Sequence, residues 1–263
     1  MSATTIEDWA RHLVTTTQLA DKLAPPPPPA DFDERPRIER IAAPGRPTEL
    51  VVVARSPRSL RRGELRDPHK RARQLHAMAH HELQAAELFA WAILAFADAP
   101  RDFRAGLLRL CLDELRHLRA YARRLVDLGS RFGAHPVRDW FWQRVPDCRT
   151  PLQFAALVGL GLEGGNLDHA ARCADEFLAV GDDESAAVQR MVERDEIEHV
   201  RFAAQWFATW TGGLSFERWR RELVAPLTPT MMRGRSINRT ARAAAGLDAE
   251  FLDALAAWEG PPQ

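Results

Sequence analysis

Two stretches of this chain repeat a pattern of residues able to hold a metal ion, Asp113-Glu114-Leu115-Arg116-His117 and Asp195-Glu196-Ile197-Glu198-His199. On a helix, residues three apart share a face, so the Glu and the His of each Glu-x-x-His reach one ion together. The copies lie 82 residues apart, and each has an acidic companion at a matched distance: Glu82 stands 32 residues before Glu114, and Glu163 stands 33 before Glu196. A lone Glu-x-x-His arises often by chance; a duplicate with duplicated companions does not. Burying four carboxylates without a cation is costly or forces them to take up protons. Two divalent or trivalent ions supply the missing charge. Oxygen-rich donors with one imidazole per ion suit iron or manganese, whereas zinc favours fewer carboxylates or thiolates. The expected cofactor is therefore two iron ions, with manganese possible, held by Glu82, Glu114, His117, Glu163, Glu196 and His199, with Glu114 and Glu196 bridging.

These residues need long helices to bring them level. Asp67-Pro68 is a helix start, with Asp as cap and Pro at the first position, and the pattern stays helical to about Ala97. After the break at Asp98-Ala99-Pro100, a second helix runs from Arg101 to Leu128 and is ended by Gly129. Residues 129–149, with the aromatic run Trp140-Phe141-Trp142, read as a long crossover. Thr150-Pro151 opens a third helix reaching about Val180, and Gly181-Asp182-Asp183 stops it and caps a fourth that reaches about Trp210. In an antiparallel hairpin, residues equidistant from the turn lie level. Glu82 and Glu114 are centred on residue 98, Glu163 and Glu196 between 179 and 180. Both centres fall at or beside the turns, so both ligand sets sit roughly 24 Å down their hairpins at ~1.5 Å per residue. The expected fold is all-α: a four-helix bundle of two antiparallel hairpins with a long crossover, an extended N-terminal arm and extra terminal helices. The boundaries are 1–67 for the arm, 68–212 for the bundle and 213–263 for the C-terminal extension.

In the arm, residues 5–24 can form a helix, and Pro25 to Pro29 stop it. Leu50 to Ala54 reads either as a strand or as an extended segment lying on the bundle. From Arg55 to Arg73, eight basic residues (Arg55, Arg58, Arg61, Arg62, Arg66, Lys70, Arg71, Arg73) face only Glu64 and Asp67. Such a run is usually a solvated or salt-bridged surface and could meet phosphate groups on RNA or a nucleotide. In the C-terminal extension, Ser215 to Val224 and Asp248 to Trp258 read as short helices.

Other polar residues near the six have two readings each. Asp113 and Asp195 either accept a histidine ring N–H, fixing its tautomer, or form surface salt bridges, with Arg116 a partner for such an Asp. Glu87, five residues and about 140° round the helix from Glu82, corresponds in the repeat to Asp168, and both read as acids outside the ligand set. His80, His81 and His169 read as polar neighbours. Gly159, Gly161, Gly164 and Gly165 weaken the third helix by up to about 1 kcal/mol each relative to Ala; close helix packing, a substrate channel beside Glu163 or a local bend would account for them. Trp140, Phe141 and Trp142, with Trp206, Phe207 and Trp210, read as packing under the crossover.

With 36 Lys plus Arg against 36 Asp plus Glu in 263 residues, no overall field draws the protein to nucleic acid or an anionic membrane. No secretory leader and no stretch of eighteen apolar residues is present, so a cytoplasmic protein without a membrane span is expected. Cys111, Cys148 and Cys173 lack a Cys-x-x-Cys pair and read as reduced thiols.

At the ligand positions the chain resembles the ferritin-like superfamily, whose diiron members carry one Glu on each of two helices and Glu-x-x-His on each of the others. More narrowly, His80-His81-Glu82-Leu83-Gln84-Ala85-Ala86-Glu87, the run Pro136 to Trp142 and the opening Ala20-Asp21-Lys22-Leu23-Ala24-Pro25-Pro26 resemble the bacterial family called domain of unknown function 455. The bundle alone is more distantly similar to the diiron hydroxylase that modifies an isopentenylated adenosine in tRNA. The superfamily resemblance implies an O2-dependent oxidoreductase, a hydroxylase or oxidase, that binds O2 or peroxide, acts on an unidentified small-molecule substrate and takes electrons from an external reductase. An iron- or peroxide-handling protein without an organic substrate and a tRNA-modifying hydroxylase are the alternatives.

Overall fold

The computed structural model describes residues 3–55 and 63–260, all-helical apart from turns and extended segments. Arg58, Arg61 and Arg62 of the basic run lie outside the described residues. Of the remainder, Lys70 Nζ pairs with Glu64 Oε1 at 2.8 Å and Arg71 Nη1 donates to Leu65 O at 2.9 Å, which ties part of the run to its own neighbourhood. The chain packs as two compact units, Met1–Pro146 and Asp147–Gln263, so the division falls inside the crossover.

The first unit begins with α1 (Ile6–Thr15), capped by Thr5, whose side chain accepts from Asp8 N. Ile6, Trp9, Leu13 and Val14 recur at helical spacing and are buried. The short α2 (Leu19–Leu23) follows, and the proline tract then runs extended, its Pro26 O accepting from Trp9 Nε1 at 2.7 Å. The chain beyond it is a strap laid on the helices. Gly45 N donates to Val14 O, and a Cβ on Gly45 would stand 2.0 Å from Thr15 O, so only glycine passes there. Val52 and Val137 form an isolated parallel bridge; Leu50 to Ala54 is thus an extended segment with one point of pairing rather than a strand.

The hairpin of this unit is α3 (Pro68–Ala95) against α4 (Arg101–Asp127). Asp67 caps α3 by accepting from His69 N at 2.9 Å, with Pro68 at the first position. Gly129, at φ 71°, closes α4, where Ser130 N donates back to Leu125 O. The start of the crossover is then stitched along α3 by side chains one turn apart. His76 Nε2 accepts from Gly133 N at 2.8 Å, His80 Nε2 meets Asp139 Oδ1 at 3.1 Å, Gln84 Oε1 accepts from Phe141 N at 3.1 Å, and Glu87 Oε2 accepts from Trp142 Nε1 at 2.8 Å.

His76 in this series carries a pH dependence. Burial, then the rings of His135 and His80, bring it down from 6.5 to about 4. Its contribution to stability is therefore present above about pH 6.5 and lost as pH falls through about 4. Thermal unfolding followed by circular dichroism should show a melting temperature that declines over this window. His76→Gln, which keeps an acceptor for Gly133 N but does not titrate, should flatten the decline; an unchanged slope would rule His76 out as its source.

The second unit opens with one α-helical turn, α5 (Pro151–Phe154), capped by Thr150, and passes directly into a π-helix over Ala155–Glu163 before α6 (Gly164–Leu178). The third helix expected from the sequence is thus interrupted by i→i+5 bonding, which is rare and concentrates at functional sites. Gly181, at φ 72°, ends the α6 segment, and Asp182 caps α7 (Asp183–Thr211), its carboxylate accepting from both Ser185 N and Ser185 Oγ. The hairpin of α6 and α7 is the core of this unit. The C-terminal extension adds α8 (Phe216–Glu222), α9 (Arg239–Ala244) and α10 (Ala249–Ala257). Of these, α9 has no counterpart in the sequence reading. Phe216, Trp219, Phe251 and Trp258 stack with centroids 5.4–5.9 Å apart, and Trp219 Nε1 donates to Ala156 O of the π-helix at 2.8 Å. Among the described residues no helix is long and apolar enough to cross a membrane.

Close packing accounts for the two glycines of the π-helix. A Cβ on Gly159 would stand 2.2 Å from Ala203 Cβ on α7, and one on Gly161 would stand 2.9 Å from Met232 Sδ. Close packing requires Gly159 to be bare, whereas at Gly161 the flexible Met232 side chain would have to shift.

Candidate metal centre

In the first unit, α3 presents Glu82 and α4 presents Glu114 and His117. Glu114 and His117 have no exposure at all and Glu82 is 5% exposed. His117 Nδ1 lies 3.4 Å from Glu114 Oε2 and 3.6 Å from Glu82 Oε2, and the donor atoms of all three lie within 4.8 Å of one another. In the second unit, the π-helix ends on Glu163 while α7 presents Glu196 and His199. His199 Nδ1 lies 3.0 Å from Glu196 Oε2, and these three donor groups also fall within 4.8 Å of one another. Two donors each about 2.1 Å from one ion and about 90° apart stand roughly 3.0 Å from each other. The His199–Glu196 separation matches such a cis pair, and those of His117 to Glu114 and Glu82 correspond to wider angles of about 110–120°.

The electrostatics are those of a site short of positive charge. Burial, and next the neighbouring Glu114, raise Glu82 well above the ordinary carboxylate range, against a smaller opposing pull from His117. In the second unit, Glu196 Oε1 accepts from Asn166 Nδ2 at 2.8 Å, while its other oxygen, buried, has no hydrogen-bond donor among the described residues. A buried carboxylate oxygen beside an imidazole nitrogen fits a cation. The donors are carboxylate and imidazole without thiolate: Cys111, the buried thiol one turn before Glu114, donates its Sγ–H to Ala86 O. Hard oxygen-rich donors of this kind suit iron or manganese.

The surrounding acids divide by environment. Asp113 and Arg116 form a half-exposed pair at 2.6 Å along α4. Asp195 is partly buried on α7, one residue before Glu196. Glu87 and Asp168 are both buried and both hold cations: Glu87 takes both arms of Arg46 at 2.6 and 2.9 Å with Lys22 Nζ at 2.7 Å, and Asp168 takes Arg242 Nε and Nη2 at 3.0 and 2.9 Å. Burial alone would raise Glu87, but Arg46 and then Lys22 outweigh it and hold it below its ordinary range. His80 belongs to the crossover series, while His81 and His169 lie at exposed positions.

Asn166, Lys22, Arg46 and Arg242 were not anticipated from the sequence. Asn166 could have been suspected, being three residues after Glu163 and therefore on its face; Arg46 lies in an aperiodic strap and Lys22 and Arg242 on short terminal helices, none of them at a fixed spacing from the acid it meets. Of the aromatic residues, Trp142 is buried on Glu87, Arg144 stacks on Trp140 at 4.1 Å, and Trp206 lies 5.2 Å from Trp210 along α7.

A family model described as Protein of unknown function (DUF455) matches residues 3–253. No curated protein and no solved structure matches the chain.

Proposed function

The chain belongs to the DUF455 family of proteins of unknown function, and we propose that it is a ferritin-like diiron carboxylate protein acting as an O2-dependent oxidoreductase on a small-molecule substrate. In this reading the hairpins α3–α4 and α6–α7 are the two halves of one four-helix bundle. Glu82, Glu114, His117, Glu163, Glu196 and His199 would hold two irons, or iron and manganese. The observation that carries the reading is the duplication: two buried trios of two carboxylates and one imidazole, one in each unit, built from the same Glu-x-x-His pattern with a companion Glu at nearly the same spacing.

When bound, an iron pair supplies the electrons and the open coordination positions that O2 chemistry requires, which no protein side chain provides. The chain's own residues prepare the place. Complete burial of Glu114, His117, Glu196 and His199 keeps bulk water from the donors. Asn166 fixes the Glu196 carboxylate by donating to Oε1 and leaves Oε2 toward His199. The imidazoles present Nδ1 to the carboxylates, so each must be neutral at that nitrogen to bind a cation, and metal affinity should rise with pH as protons leave the site.

Anaerobic titration of the chelator-stripped protein with Fe(II) tests the reading. About two irons per chain, giving a magnetically coupled pair by Mössbauer spectroscopy after exposure to air, is the expected result. Iron well below one per chain would remove it. A coupled pair that turns over peroxide or stores iron without consuming any organic substrate would instead favour iron or peroxide handling.

A further inference from the structure

We propose that Glu87 and Asp168 are matched positioning residues, each pinning the helical segment that carries a single ligand glutamate to a terminal extension of the chain, and so setting the direction of Glu82 and Glu163. The inference rests on the reading of Glu82 and Glu163 as metal ligands.

The need follows from the distribution of donors. Segments α4 and α7 each carry a Glu and a His three residues apart, so binding one ion through both residues fixes the rotation of the helix about its axis. The α3 helix and the segment ending in Glu163 each carry one glutamate, and a single donor leaves that rotation undetermined. Both segments have a buried acid five residues after the ligand, about 140° away round the axis. The equivalent positions after Glu114 and Glu196 are Arg119 and Arg201. The acid therefore occurs only where a ligand stands alone.

Each acid is held from several directions at once. Glu87 accepts from Arg46 twice, from Lys22 and from Trp142 Nε1, and these donors come from the strap, from α2 and from the crossover. Arg46 in turn grips Asp139, and Lys22 Nζ also donates to Leu13 O and Val14 O, so the anchor reaches to the end of α1. Asp168 accepts from Arg242 twice and from the backbone N–H of Gly234 and Asn238, each at 2.8 Å. The segment wrapped on it seats Met232 against Gly161 and Arg242 against Gly164, on either side of Glu163. Neither extension is a loose appendage. Each is the part that orients a ligand, through acids that touch no reacting group themselves.

Full-length wild type, Asp168→Asn, Arg46→Lys and Glu7→Gln, all stripped with chelator, would be titrated with Co(II) and followed by visible absorption and by melting. Arg46→Lys keeps the charge and loses the planar fork. Glu7→Gln breaks the buried pair with Arg104 and touches neither anchor. Wild type should take up two Co(II), while Asp168→Asn and Arg46→Lys should bind one of the two ~10-fold more weakly with displaced absorption bands, as loss of groups that orient metal ligands does. Glu7→Gln should melt lower yet keep wild-type bands and affinity. Anchor variants that melt lower with wild-type bands and affinity would overturn the positioning role and leave the metal reading standing. Wild type that binds no Co(II) would remove both. Should Asp168→Asn fail to fold, the bands of Arg46→Lys decide.

Discussion

Replacing Glu82 by glutamine is expected to stabilise the metal-free protein by about 1 kcal/mol near neutral pH, in the range typical of removing an unfavourable buried group, while weakening metal uptake at the proposed site. The carboxylate is raised well above its ordinary 4.5 by burial and by Glu114. A carboxylate with a raised folded-state pKa contributes its stability below about 4.5 and loses it as pH rises through the folded value. The gain from Glu82→Gln should therefore grow with pH in urea unfolding of chelated protein at pH 5, 7 and 8. A variant less stable than wild type at every pH would mean that Glu82 is a structural acid already satisfied by the protein.

Five residues further along the same helix, Glu87→Gln should have the opposite sign. Glu87 is buried as completely, yet Arg46 and Lys22 hold it below its ordinary range, so its stability is present above about 4.5 and lost as pH falls through the folded value. Removing the charge leaves the buried Lys22 and the part-buried Arg46 with one carboxylate, Asp139, near them, and breaking buried ion pairs in this way costs about 3–5 kcal/mol. At neutral pH the same measurement should show Glu87→Gln strongly destabilised with or without metal. A loss under about 1 kcal/mol, the typical value of an exposed pair, would contradict the anchor. The sign of the effect thus distinguishes the proposed metal ligand Glu82 from the structural acid Glu87 on the same helix.

The parts of this arrangement that were readable in the sequence are those set by local periodicity. Asp67-Pro68, Gly129 and Gly181-Asp182 mark helix ends because capping is chemistry between residues a few positions apart. The gathering of Glu82 with Glu114 and His117, and of Glu163 with Glu196 and His199, was readable because equal distances from a turn place residues level. What depends on the path of aperiodic segments was not readable. Nothing local says that Lys22 and Arg46 will meet at Glu87, or that Arg242 will return 74 residues along the chain to Asp168. The π-helix left only a trace, the glycines at 159 and 161, since i→i+5 bonding has no apolar period distinct from that of a short α-helix over nine residues. Leu50 to Ala54 was ambiguous for the same reason: a single bridge to Val137 has no pattern.

Anomalous diffraction at the iron absorption edge, on crystals of the protein reconstituted with Fe(II), tests the central claim most directly. Two peaks are predicted, one bonded to Glu82, Glu114 and His117 and the other to Glu163, Glu196 and His199. A single peak, or peaks remote from these six side chains in iron-saturated protein, would contradict it.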